Sequence, residues 1–188
     1  MEIDPNLLGE VEPGLWVGGL GAVKEIRMQS ERPWLVISAL RQDSTLSYFA
    51  VQTIREIETS HPATTIHHII FNIPDRVRSN LLCDHLAEIL NMIDASLSEG
   101  GYCLVHCAKG ISRSIAICAA FLISRRQLTL EQALKKIRLV RPQAAPNLGF
   151  VAALRALECS EGRTVEAAIQ RMAKASKKGE KGGKKEGH

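Results

Sequence analysis

No run of apolar residues in this chain of 188 is long enough to span a membrane. The opening MEIDPNLLGE has no basic segment followed by an apolar one, which argues against a secretory leader there. Glu2 stands where N-myristoylation needs glycine, and the closing KKEGH is no prenylation box, so neither lipid anchor is expected. Cysteine is sparse and irregular. Five residues, Cys83, Cys103, Cys107, Cys118 and Cys159, include no Cys-x2-Cys pair. An odd count without regular spacing argues against a disulfide framework and against a zinc site. His61, His67, His68, His85 and His188 form no metal-ligand pattern, and His67 and His68 fall on opposite faces of a strand. No metal or cofactor is expected. There is no internal repeat.

Net charge is also missing from most of the chain. The net charge is +4. Residues 171–188 hold Arg171, Lys174, Lys177, Lys178, Lys181, Lys184 and Lys185 against Glu180 and Glu186, a surplus of five positive charges. The first 170 residues are therefore near neutral. A Lys/Gly composition cannot bury enough surface to order itself. The tail reads as a solvated end, with weak attraction to anionic lipid, nucleic acid or acidic partners as the sharper alternative.

What is present is an alternation of strands and helices. Residues 15–18, 34–39, 66–71 and 101–106 read as short strands, and 20–29 as a helical turn. Residues 44–60 carry Leu46, Phe49, Ala50, Ile54 and Ile57 at helical spacing and stop before Pro62. Residues 79–98 carry a stripe of Leu82, Leu86, Ile89, Leu90, Ile93 and Leu97. Helices follow at 114–125, 129–140 and 147–159, the second opened by the capping-box pair Thr129 and Gln132. Alternation of this kind predicts an α/β domain with a mainly parallel sheet. The chain divides into a lead over 1–10, a domain over 11–160, a short helix over 161–175 and the tail over 176–188.

The chemistry concentrates in His106-Cys107-Ala108-Lys109-Gly110-Ile111-Ser112-Arg113-Ser114, at the junction of a buried strand and a buried helix. Gly110 makes the sharp turn cheap. Such a loop aims successive backbone N–H groups inward, and the helix start adds partial positive charge, so residues 108–113 form an anion cradle. Arg113 can grip two phosphate oxygens in a fork. Cys107 lies at the cradle's base, where the same field favours the thiolate. A thiolate facing a bound phosphate is a nucleophile for phosphoryl transfer. It needs a reducing surrounding, so a cytoplasmic or nuclear protein is expected. Proton donation to the leaving group needs a carboxylic acid from another loop. Asp75, just after a strand and behind Pro74, is the first choice; Asp43 and Asp84 are the competitors.

The segment resembles the His-Cys-x5-Arg-Ser signature of the cysteine-dependent protein tyrosine phosphatases, and its Ser-Arg-Ser ending resembles the dual-specificity branch. Leu15-Trp16-Val17-Gly18 after Pro13-Gly14 is similar to that family's opening strand. Ala120-Phe121-Leu122-Ile123 stands where the family usually carries Ala-Tyr-Leu-Met. Arg141-Pro142 and Pro146-Asn147-Leu148-Gly149-Phe150 resemble its closing segment. The resemblance covers residues 11–158 and implies a protein-tyrosine-phosphatase-like α/β fold, with a mainly parallel sheet of four to five strands flanked by helices. It implies that Cys107 attacks phosphorus, Arg113 binds the phosphate and Asp75 is the acid. It also implies that His106 braces the loop and that Ser114 assists breakdown of the phospho-enzyme. Asn147 is implied as structural support. Ser114 has a second reading as the N-cap of the following helix, and Ser112 is expected only to shape the loop. Lys109 departs from the small residue usual before the loop glycine; it either biases the site toward acidic substrates, phosphoinositides included, or simply faces solvent.

The resemblance implies a monomeric, small, single-domain enzyme of the atypical type, acting on phosphorylated proteins, with no nucleic-acid partner. Two other readings stand beside it. One is a catalytically silent phosphoprotein-binding module. The other is a phosphatase for a phosphoinositide or another non-protein phosphate. Cys103 and Cys118, close to Cys107 in sequence, read either as buried apolar residues or as resolving thiols of a redox switch.

Overall fold

The computed structural model describes residues 8–26, 32–75 and 81–159, the side chains of 81–83 excepted. The short helix expected over 161–175 and the tail over 176–188 lie outside the described residues. Five strands form one sheet: β1 (Gly9–Glu12), β2 (Leu15–Gly18), β3 (Trp34–Leu40), β4 (Ile66–Asn72) and β5 (Tyr102–His106), in the order β1-β2-β5-β3-β4. The β1–β2 pair is antiparallel and the other three pairs are parallel. Five α-helices lie among the described residues: α1 (Thr45–Ser60), α2 (Leu81–Ser98), α3 (Arg113–Arg126), α4 (Leu130–Val140) and α5 (Leu148–Glu158).

Alternation along each strand divides the core in two. Odd-numbered strand residues, among them Leu15, Val17, Leu35, Ile37, Cys103 and Val105, pack against α2, α3, α4 and α5. Even-numbered ones, Trp34, Val36, Ile66 and Leu104, pack against Ile54 and Ile57 of α1 and against Val23 and Ile26. Both faces are covered, as a parallel sheet requires. Helix α3 is buried continuously from Ser114 to Ile123, which explains an apolar run with no polar face.

Three local expectations change. The turn expected over 20–29 is a 3-10 helix over Leu20–Glu25, and 27–29 lie outside the described residues. Strand β1 gives no clear signal in the sequence, because only Val11 of Gly-Glu-Val-Glu is apolar and the register shifts between Glu10 and Glu12. Tertiary pairing with β2 makes it a strand, through a turn at Gly14 with φ +84°. The last change is at α3. Its N-cap is Ser112, so Ser114 lies inside the first turn and is not the cap.

Candidate active site

The parallel strands all end on one side of the sheet, and the loop from Cys107 to Ser112 leaves β5 there and enters α3. Its shape follows from where its carbonyls go. Ala108 O accepts from Leu20 N at 3.1 Å, and Ile111 O from Ala145 N at 2.9 Å. Lys109 O accepts from Arg141 Nη2 at 2.7 Å, and Gly110 O from Arg141 Nε at 2.9 Å. Four successive carbonyls are thus held from outside, and the trans peptide turns each following N–H the other way. The result is the inward nest of amides expected for anion binding.

Gly110 is required here on two counts. Its φ is +65°, and a Cβ would lie 2.6 Å from both Gly18 C and Gly19 N. The end of β2 therefore packs against the loop so closely that a side chain has no room.

Cys107 is 2% exposed. Gly110 N donates to its Sγ at 3.3 Å, and Ser114 Oγ lies 3.4 Å from it. Burial by itself pushes this thiol up. Hydrogen bonds from the Ser114 hydroxyl and backbone, the Arg113 charge and the Gly110 N–H outweigh it, and the net pKa falls below the ordinary thiol value. Arg113 Nη1 donates to Ile73 O at 3.4 Å. Its Nε is buried without a hydrogen-bond partner, 3.7 Å from Asp75 Oδ2. A buried guanidinium donor left open beside a sulfur of lowered pKa is an anion site in chemical terms.

Asp75 is brought over this loop from the end of β4. Ser112 Oγ donates to its Oδ1 at 2.8 Å, and Asn147 Nδ2 donates to the same oxygen at 2.7 Å. The competing carboxylates are elsewhere: Asp43 is exposed in the turn before α1, and Asp84 is exposed in the first turn of α2.

A comparison with family models assigns the domain that holds this cysteine, arginine and carboxylate. Residues 35–160 match the model described as dual specificity phosphatase, catalytic domain. The chain belongs to this family. Dual specificity protein phosphatase 1 of Arabidopsis thaliana is 30% identical over 161 residues, 84% of this chain and 72% of that protein. Dual specificity protein phosphatase 12 of Mus musculus is 32% identical over 141 residues, and the chain spans 38% of its length. Among solved structures, human DUSP28 superposes with a TM-score of 0.65 at 26% identity, covering 85% of this chain and 98% of that one. A mouse putative dual specificity phosphatase complexed with zinc tungstate gives 0.63 at 26% identity, covering 94% and 95%.

Two residues of this phosphatase domain carry more than their sequence positions suggest. Ser112 does more than shape the loop: besides holding Asp75, its Oγ accepts from Asn147 N at 3.1 Å. Arg141 is fully buried and braces the phosphate loop by its two carbonyl contacts. Neither role has a local signature, because both depend on segments distant in sequence. Asn147 supports the site in two ways, capping α5 through Phe150 N at 3.1 Å and tethering Asp75. Ala108 and Ile111 are half-buried in the loop, and the Lys109 side chain is exposed. Cys103 and Cys118 are fully buried, and burial pushes both thiols up. A thiol so protonated is a poor resolving group, and both residues pack in the core cluster. Among the described residues no group of three or more His, Cys, Asp or Glu is placed to hold a metal ion.

Proposed function

We propose that this domain hydrolyses phosphotyrosine, and phosphoserine or phosphothreonine, in proteins through a cysteinyl-phosphate intermediate. The observation that carries the reading is the open Arg113 Nε–H beside the Cys107 sulfur, in a loop whose amides face inward. The substrate phosphate sits in the cradle of residues 108–113, with Arg113 and the amides on its equatorial oxygens. The Cys107 thiolate attacks phosphorus as the bond to the leaving oxygen breaks. Asp75 supplies the proton. Both tethers of its carboxyl, Ser112 and Asn147, donate to Oδ1 and hold the group over the loop. In the second step Asp75 takes a proton from the attacking water and the sulfur leaves. The Ser114 hydroxyl, with Gly18 O at 3.4 Å as its other acceptor, then turns its single proton to the departing thiolate. His106 braces the strand end that presents the nucleophile.

Protein is preferred to lipid as substrate because the one extra cation of the loop, Lys109, is exposed and the loop positions 108 and 111 are uncharged. The presence of the whole catalytic set also weighs against a silent binding module. A thiolate of this kind fits a reducing compartment, cytoplasm or nucleus. The test is hydrolysis of p-nitrophenyl phosphate between about pH 5 and 8 by the wild-type chain beside Cys107→Ser. Turnover that vanishes in the variant supports the mechanism; equal turnover in both refutes it. Phosphotyrosine peptides, phosphoserine peptides and phosphoinositides assayed side by side then decide the substrate class.

A further inference from the structure

Helices α4 and α5 run antiparallel. Leu130 N, at the start of α4, donates to Glu158 Oε1, at the end of α5, at 3.0 Å. At their other ends, Arg138 of α4 and Val151 of α5 line the same groove. The groove has a volume of about 470 Å³. Leu130, Leu134 and Arg138 form its α4 side, and Val151, Arg155 and Glu158 its α5 side. Leu148 stands three residues before Val151 and seven before Arg155, so helical spacing puts it on the same face of α5. It is 77% exposed. A lone open leucine on a surface is ordinary, but this one prolongs a groove floored by leucine and valine.

The chain itself leaves α5 at one end of this groove, since Cys159 caps the helix directly after Glu158. Beyond it, Val165, Ala168, Ile169 and Met172 recur at i, i+3, i+4 and i+7, one apolar face of a helix. Residues 159–163, with Gly162 among them, suit the connection of about two to five residues that joins antiparallel helices. The lengths agree as well. Helix α5 has 11 residues, roughly 16 Å at 1.5 Å per residue. The same number counted from Thr164 ends at Lys174, so Met172 comes level with the turn between Leu148 and Val151. Charge agrees too. Arg138 and Arg155 make no ion pair among the described residues. Glu166, beside Val165 in sequence, comes level with Arg155.

We propose that the groove between α4 and α5 is the docking site of the chain's own segment 164–174, folded back as a helix. Val165, Ala168 and Ile169 lie on the floor of Leu130, Leu134 and Val151, and Met172 covers Leu148. Leu148 adjoins Asn147, so the docked helix ends against the residue that holds Asp75. The occupant is this segment because it starts at the groove's end, fits its length and carries the matching face. The proposal needs no turnover, so its test reads the fold and not the reaction.

Hydrogen exchange of the full chain, read peptide by peptide in a mass spectrometer, tests this. Amides of 165–173 are expected to exchange at least about tenfold more slowly than in a free peptide of that sequence. Ile169→Asp is expected to abolish that protection and to speed exchange in 130–138 and 151–158. Unchanged exchange in β3 and β5 then shows that the domain stays folded. Gln170→Asp puts the same charge one position on, on the opposite face of the helix, and is expected to leave all three segments as in the wild type. Leu148→Ser alters a side chain that is already exposed, so the domain keeps its core, and is expected to speed exchange around Met172. Free-peptide rates over 165–173 in the wild type overturn the proposal. So do equal effects of Ile169→Asp and Gln170→Asp, or an unchanged segment in Leu148→Ser. Protection that grows with protein concentration also overturns it, because a second copy would then fill the groove.

Discussion

At Cys107 two opposed influences act on one sulfur, and the balance between them is set by neighbours within 3.4 Å. Burial favours the thiol, while the hydroxyl, amides and guanidinium favour the thiolate. In the proposed mechanism Asp75 has the converse requirement, to keep a proton until the leaving group takes it. The profile of kcat/KM against pH is therefore expected to be bell-shaped, because the proposed reaction needs the thiolate and a protonated acid at the same time. Asp75→Asn is expected to lower kcat by about a hundredfold or more. The loss should be larger for alkyl phosphates than for p-nitrophenyl phosphate, because a poor leaving group depends more on the proton. Ser112→Ala removes one tether from Oδ1 and leaves the carboxyl in place. A drop of about tenfold in kcat with KM nearly unchanged is expected, because misplacing the acid affects the transition state more than binding. Steady-state kinetics on both variants checks these outcomes.

At the scale of the element, the loop and α3 share one boundary and pull on it from both sides. Gly110→Ala sets a Cβ 2.6 Å from the backbone at Gly18 and Gly19 and places alanine at φ +65°. The expected result is loss of most activity together with at least about 1–2 kcal/mol of stability, read by assay and urea titration. The far end of α3 is different. Gln127 there adopts φ 55°, a left-handed conformation where glycine is favoured, and no catalytic group depends on it. Gln127→Gly is expected to raise stability by about 1 kcal/mol with activity unchanged. Thr129, next along the chain, closes a full capping box with Gln132, and the sequence pair alone foretold it.

For the whole molecule, pH dependence of stability follows from the two histidines on the α1 face. His106 and His68 titrate near 6.5 when unfolded and at about 3 and about 4 when folded. Between those values the unfolded chain binds more protons, so stability falls as pH drops. Full stability from these groups is present above about 6.5 and is lost progressively toward the folded values. Urea midpoints at neutral pH and near pH 5 are expected to differ in that direction. An equal midpoint at both would mean that the histidines are not held neutral by the fold. The rest of the molecule's logic is geometric. Parallel strands β2, β5, β3 and β4 deliver Gly18, Ser38, Asp75 and Cys107 to neighbouring ends of one sheet.

The amino-acid sequence by itself determined the parts whose cause is local. The continuous apolar runs of β3 and β5, the stripe of α2, the unbroken apolar run of α3 and the capping box of α4 all state their structure within a few residues. So does the turn between β5 and α3, where Gly110 stands between an apolar strand and an apolar helix. Tertiary structure alone decided the rest. Gly-Glu-Val-Glu became β1 only because β2 offers it an edge. Ser112 became a tether, and not a spacer, because Asp75 and Asn147 converge on it from 37 and 35 residues away. Arg141 became the brace of the phosphate loop across 31 residues. Ser38 lies 68 residues from His106 and touches it. Each of these is a polar group buried by packing, and a buried polar group takes whichever partner the fold brings to it. No pattern within one segment carries that information.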